Sequence, residues 1–465
     1  LFSENIMQRR TLWLAATLAA TAPAAHADEL SALREEVAQL KKSYAERIAA
    51  LEAQISRLTP AEPMPVKTGG GTPSATGFNP EISLILQGQA KRMKDVPERG
   101  ITGFWAPGGH DHDGPEKRGL SLEHSELVVA ANIDPNFRGH LNVALLDGQA
   151  EVEEAWFQTL GLGNGLKLKG GRFLSGIGYL NEQHAHAWDF ADAPLMTKAL
   201  FGEHYAQDGL QLKWVAPTDL FIELGAEAGR GAGFPGTDRN KNGSGAGSVF
   251  GHVGGDWGPS SAWRAGLSYL ATRAQARSGH FEDGDPAGPN EVEGQFSGKS
   301  RTWIADFVWK WAPDGNARSS GFKFQAEYFR RTEDGTLACA ADAAALPGSP
   351  CIGHPLGAYR SRQSGFYAQG IWRFAPAWRV GYRYDRLDSG RLTAGLLDDG
   401  ALDGATGALA AYAPKRHSVM ADWSPSEFSR LRLQFARDKS MLGVTDDQWT
   451  LQYIMSLGSH GAHSF

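Results

Sequence analysis

What the chain lacks narrows the field before any motif is read. Beyond residue 27 no stretch approaches the roughly 18 consecutive apolar residues that a membrane-crossing helix needs, and mean hydropathy is that of a soluble protein. A helical membrane protein is thereby excluded; a β-barrel is not, because only alternate residues of its strands meet lipid. Charge imbalance is small, with 46 Lys and Arg against 52 Asp and Glu and a net charge of −6. That balance offers no basic surplus for a nucleic acid. Only two cysteines occur, Cys339 and Cys351, in one polar, Ala- and Pro-rich segment. In an oxidising compartment such a pair reads as a disulfide closing its loop, and no further thiolate is available for a zinc or redox role. Gly-x-Ser-x-Gly, His-Glu-x-x-His and a phosphate-binding Gly-rich loop with Lys are all missing, so nothing selects an enzyme.

What is present begins with an export signal. Arg9 and Arg10, the apolar stretch 12–20 and Ala25-His26-Ala27 form a secretory signal peptide over 1–27, with Met7 the expected start and Asp28 close to the mature one. Over 28–58, Leu33, Val37, Leu40, Tyr44, Ile48, Leu51, Ile55 and Leu58 recur at steps of three and four. This predicts a coiled-coil helix with one stutter; the alternative is a lone amphipathic helix lying on the barrel or the membrane. Pro60, Pro63, Pro65, Gly69, Gly70, Gly71 and Pro73 mark 59–77 as a linker, part stiff and part flexible.

From Phe78 onward the periodicity is two. Trp303, Ala305, Phe307, Trp309 and Trp311 share one face against Thr302, Asp306 and Lys310; Phe322, Phe324, Ala326 and Tyr328 oppose Lys323, Gln325 and Glu327. Five aromatic-proline turns punctuate these strands: Trp214-Val-Ala-Pro217, Trp257-Gly-Pro259, Trp311-Ala-Pro313, Phe374-Ala-Pro376 and Trp423-Ser-Pro425. Proline cannot donate to a strand ladder, and the aromatic before it suits a membrane interface, so the set reads as one rim of a transmembrane barrel. Adding turns at 134–136 and 161–165 gives about seven short turns. They predict an all-β, antiparallel up-and-down transmembrane β-barrel of roughly 16 strands over 78–465, preceded by the coiled-coil helix. Long connections are expected on the other rim at 93–118, 174–207, 229–247, 272–299, 333–361 and 388–414, facing outward. Phe465 gives the chain the terminal aromatic that barrel assembly machinery reads, though a Gly- and His-rich tail precedes it.

The segment 174–207 is too apolar for an exposed loop, with Ile177, Tyr179, Leu180, Trp188, Phe190, Leu195, Met196, Leu200 and Phe201. It is expected to fold inward and narrow the lumen. Its Tyr179, Glu182, Trp188, Asp189, Asp192 and Glu203 would then face a basic wall that includes Arg373, Arg379, Arg383, Arg430 and Arg432, setting a field across an aqueous constriction that leans toward anions. The alternative is that these charges simply pair and solvate the lumen. His110, His112, His184 and His186 form two His-x-His pairs beside carboxylates, a zinc or nickel ligand set if the fold unites them and a polar loop feature if not. Asp238 to Gly243 copies the first half of a calcium loop but has Val249 where the bidentate Glu belongs, which favours a plain turn.

Three blocks carry a family likeness: GRFLSGIGYLNEQHAHAWDFADAPL from Gly171 to Leu195, FNPEISLILQG from Phe78 to Gly88, and DRNKNG from Asp238 to Gly243. They resemble a proteobacterial family of outer-membrane porin-like barrels often labelled zinc-regulated outer-membrane receptors. The coiled coil is similar to that of the phosphate-selective porins, which are trimers. The resemblance implies an outer-membrane location, the lipid bilayer and the barrel assembly machinery as partners, and a homotrimer. The function expected is passive diffusion of small hydrophilic solutes, with no cofactor required and zinc as the ion the His pairs would take. Two rivals stand beside it: a zinc-linked metal uptake receptor, and a structural protein whose coiled coil anchors the envelope.

Overall fold

The structure is a computed structural model that describes residues 80–458 apart from 97–98, 106–116, 147–148, 283–290, 340–355, 401, 403 and 406. The expected signal peptide, coiled coil and linker, together with His110, His112, Cys351 and Phe465, lie outside the described residues.

Among the described residues, seventeen strands follow one another. They are β1 (Glu81–Arg92), β2 (Gly119–Leu122), β3 (Ser125–Asn132), β4 (Phe137–Leu146), β5 (Gln149–Thr159), β6 (Leu166–Leu174), β7 (Ala206–Val215), β8 (Phe221–Gly229) and β9 (Ala246–Asp256). The set continues with β10 (Ser261–Glu282), β11 (Glu291–Trp311), β12 (Gly321–Cys339), β13 (Leu356–Ala375), β14 (Trp378–Ala394), β15 (Lys415–Ser426), β16 (Ser429–Lys439) and β17 (Asp446–Gly458). From β3 onward each pairs antiparallel with the next, and β1 closes on β17, with Leu84 opposite Leu457 and Arg92 opposite Trp449. Both β2 and β3 pair with β1, through Gly88 to Leu122 and Ile85 to Glu126. They are two halves of one stave broken at Glu123 and His124, so the barrel has sixteen staves, the even number that antiparallel closure requires.

Period-two alternation decides which side is which. The outer faces present Trp303, Leu433, Trp449 and Leu451, each between 45% and 51% exposed, beside dozens of other large apolar side chains. An apolar belt of that extent is not left in water, and closure leaves no unpaired strand edge in lipid. The barrel spans a membrane, and its architecture places it in the bacterial outer membrane.

Seven short connections make one rim. Trp257, Trp311, Phe374, Trp378 and Trp423 are exposed around it, as the aromatic-proline pattern predicts. The Trp423-Ser-Pro425 turn differs in detail. These residues remain within β15, where the register slips between Trp423 and Ser426, and the reversal comes two residues later. Pro425 has no N–H to keep the ladder regular.

The opposite rim corrects the expectation more. Segments 272–299, 333–361 and 388–414 are not simple loops, because β10 to β14 run on for 17 to 22 residues each, twice the roughly 10 needed to cross a bilayer. The reason is burial. Inward-facing Phe281, Phe296, Leu337 and Tyr359 surround Trp105, whose ring lies 4.5 Å from Phe281, so continued pairing secures an apolar core beyond the membrane.

Candidate functional site

The chain leaves β6 at Leu174 and re-enters the wall at Ala206, and between them it runs inside the barrel. Backbone donors bring it in. Gly176 N–H donates to Glu227 Oε1 at 2.9 Å, Gly178 N–H to Ser268 Oγ at 3.1 Å and Tyr179 N–H to Glu327 Oε1 at 2.7 Å. Gly178 takes φ of 68°, and a Cβ there would collide with the Glu327 carboxylate. Further on, a short helix α1 (Leu195–Phe201), ended by Gly202 in the left-handed conformation, buries Leu195, Met196, Leu200 and Phe201. They pack on Ile304, Phe329, Tyr367 and Leu387, inward positions at which the wall turns apolar. Strict apolar-out, polar-in alternation therefore fails where the loop docks, because loop and wall share a dry contact.

Ion pairs fasten the middle of the loop. Asp189 lies 3.0 Å from both Lys323 on β12 and Arg379 on β14, while Asp192 lies 2.8 Å from Arg383 and 2.7 Å from Arg416. Arg432 donates to the Trp188 carbonyl at 2.8 Å and to Asp422 at 2.8 Å, and Leu195 N–H donates to Asp385 at 3.0 Å. Burial alone would raise the Asp189 and Asp192 carboxyls. The cations in contact, Lys323 with Arg379 and Arg416 with Arg383, outweigh burial and hold both well below the usual carboxylate range.

These contacts correct the expected arrangement. The acidic loop does not face the basic wall across water; it touches it. A carboxylate carried into the lumen on a docked loop is costly unless paired, so it meets guanidinium groups directly. The other sequence-derived residues divide. Arg430 reaches the His186 and Trp188 carbonyls at 3.5 and 3.4 Å. Tyr179 lies beneath Arg264 and Lys323, with its ring centre 5.5 and 5.2 Å from them. Glu182 pairs with Lys213 on β7 at 2.7 Å, and Arg373 stands near the short-turn rim, donating to the Pro376 carbonyl. Glu203 is displaced from the constriction, 3.6 Å from Lys198 within its own loop. Cys339 ends β12 in a disulfide, and Asp238 pairs with Arg230 at 2.6 Å on an exposed loop.

Two of the spaces among the described residues lie on the short-turn side of the loop. The larger, of about 820 Å³, is lined by Glu126, Glu154 and Glu223, by Lys167, Lys169 and Lys213, and by His140, His184 and His186. The smaller, of about 390 Å³, carries Lys310, Lys323, Arg373 and Arg379 against Asp189 and Asp256. The larger space thus mixes carboxylates and imidazoles with the lysines of β6 and β7, whereas in the smaller one cations of β11 to β14 outnumber carboxylates.

The acidic side was not legible in the sequence. His184 lies 3.2 Å from Glu153, 3.0 Å from Glu154 and 3.6 Å from Glu126, while His186 lies 2.8 Å from Glu126. Glu153 and Glu154 are consecutive, so strict alternation sends one outward. A register slip between Asn142 and Val143 makes Glu153 the extra residue of a β-bulge, and both carboxylates turn into the lumen. Burial would lower the His184 imidazole, but Glu126, Glu153 and Glu154 hold it well above its ordinary range.

An uncharacterised protein of Aquifex aeolicus (strain VF5) is 30% identical to the chain over 418 residues, covering 84% of this chain and 81% of that one. The two belong to one family. No protein-family model matches the chain. Among solved structures, similarities include a loop-L8 deletion mutant of OmpT, an outer membrane protein of Vibrio cholerae (TM-score 0.48, 11% identity, 82% of this chain and 99% of that). The outer membrane channel DcaP of Acinetobacter baumannii gives 0.43, with 11% identity over 83% and 99%. An anion-selective porin from Comamonas acidovorans gives 0.45, with 9% identity over 82% and 99%.

Proposed function

We propose that the barrel is a passive outer-membrane channel for small hydrophilic solutes, selective for anions, and that it works as a homotrimer. The observation carrying this reading is the polar space, lined by charges of both signs, left beside a loop that is ion-paired to the wall of the lumen. Such a space orients a dipolar or charged solute without covalent chemistry: a field, a diameter and hydrogen-bonding walls suffice, so no catalytic group is invoked. The anion preference is supported by the smaller space, in which four cations stand against two carboxylates. Reversal potentials in a salt gradient across a planar bilayer test it. Anion selectivity that weakens in a Lys310→Gln, Arg373→Gln double variant is expected; cation selectivity in the unaltered protein would contradict it.

A further inference from the structure

We infer that Glu126, Glu153, His184 and Asn142 form a binding site for one divalent first-row transition-metal ion, which fastens the inward loop to β3, β4 and β5. This goes beyond the channel reading and does not depend on it.

The donor geometry comes first. One oxygen each from Glu126 and Glu153 and one nitrogen of His184 lie within 4.8 Å of one another. Ligands at about 2.0–2.2 Å from a tetrahedral ion stand about 3.3–3.6 Å apart. His184 Nδ1 is already 3.2 Å from Glu153 Oε2 and 3.6 Å from Glu126 Oε2. The Asn142 side-chain nitrogen touches the same three atoms, at 2.8 Å from Glu126 Oε2, 3.4 Å from Glu153 Oε2 and 3.3 Å from His184 Nδ1. Asn142 is fully buried, and its Oδ1 has no hydrogen-bond partner. Half a turn of that amide exchanges the two atoms and supplies the fourth ligand without breaking a bond that Oδ1 makes.

The surroundings match a metal site as well. A metal-bound imidazole characteristically gives its second nitrogen to a carboxylate, and bound carboxylates are themselves held from behind. His184 Nε2 lies 3.0 Å from Glu154 Oε2, His186 Nδ1 2.8 Å from Glu126 Oε1, and His124 Nδ1 3.3 Å from Glu153 Oε1. Among the described residues, Glu126, Glu153 and Glu154 have ion-pair partners only in histidines, so three carboxylates converge with no Lys or Arg at ion-pair distance. The adjoining 820 Å³ cavity provides an entry path. An imidazole with carboxylate and amide oxygens selects zinc, cobalt or nickel over calcium, which takes oxygen alone.

The test is titration of the chelator-stripped, detergent-folded barrel with Co²⁺, followed by displacement with Zn²⁺. One equivalent should bind and produce the visible absorption of a four-coordinate site. Glu153→Gln and His184→Gln, each removing a ligand, should weaken binding by more than the roughly tenfold to hundredfold that loss of an outer partner costs, while His417→Ala on the outer face should leave it unchanged. Folding of each variant is checked by its heat-modifiable electrophoretic mobility. Cobalt-edge X-ray absorption of the unaltered protein should give one imidazole and three oxygens, which keeps the assignment open to refutation if a variant does not fold. Absence of stoichiometric binding, a sulfur or multi-imidazole shell, or undiminished binding in both folded variants would each overturn the site. None of these readouts involves conduction, so the outcome is separate from that of the channel reading.

Discussion

At the residue scale, the loop is held by carboxylates that share their cations with acidic residues of the wall. Asp192→Asn would remove the counter-charge that buried Arg383 and Arg416 share and leave both to Asp385, with Asp438 3.8 Å from Arg416, at a cost of about 1–3 kcal/mol in docking. Amide hydrogen exchange over 195–201 should rise accordingly, with little change in the outer strands. The pH response has a definite sign. The Asp189 and Asp192 carboxyls are depressed in the folded protein, so their stabilisation is present above the ordinary aspartate value of about 3.9 and lost only as pH falls through their lower folded values. Protection of α1 should therefore hold from neutrality down to about pH 4; exchange that quickens near pH 5 would contradict the pairing. Which side chains face inward was largely legible: Lys310, Lys323, Arg379, Arg383, Arg416, Arg430 and Arg432 all follow period two. Glu153 was not, because an unpaired extra residue leaves no mark in a strand sequence and shows only against its partner strand.

At the element scale, the inward course of 175–205 was readable from apolar content alone, since nothing else could bury Trp188, Phe190 and Leu195 to Phe201. What escaped notice was the wall that receives them. Ile304, Val308, Phe329 and Leu387 break the polar phase of their strands, and such breaks are indistinguishable from irregularity until the docking partner is known. The entry to the loop depends on one backbone position. Gly178→Ala adds a Cβ in the left-handed region and drives it into Glu327, which also accepts the Tyr179 N–H. Loss of about 1–3 kcal/mol in docking is expected, read as faster proteolysis within 175–205 while the barrel stays folded. The overlong strands β10 to β14 likewise reflect a tertiary core: their outer turns alternate like any strand, and it was the expectation of loops there that failed. Gly279 lies against the Trp105 ring with no room for a Cβ, so Gly279→Val should unseat Trp105 and quench the interior signal of its fluorescence.

At the scale of the whole molecule, the exposed Trp and Leu belt together with closure between β1 and β17 means that the folded chain requires lipid or detergent. Unheated samples should migrate apart from boiled ones on electrophoresis, as a closed barrel of sixteen staves resists detergent until its ladders open together. Cross-linking in native membranes should yield a species of three chains. In a passive channel of this form, water and ions pass beside a loop fixed across the lumen. Single-channel recording of the intact barrel against a variant lacking 183–200 tests it most directly. Small, anion-favouring steps that grow several-fold when the loop is removed are predicted; identical conductance in the two proteins, or none in either, would contradict it.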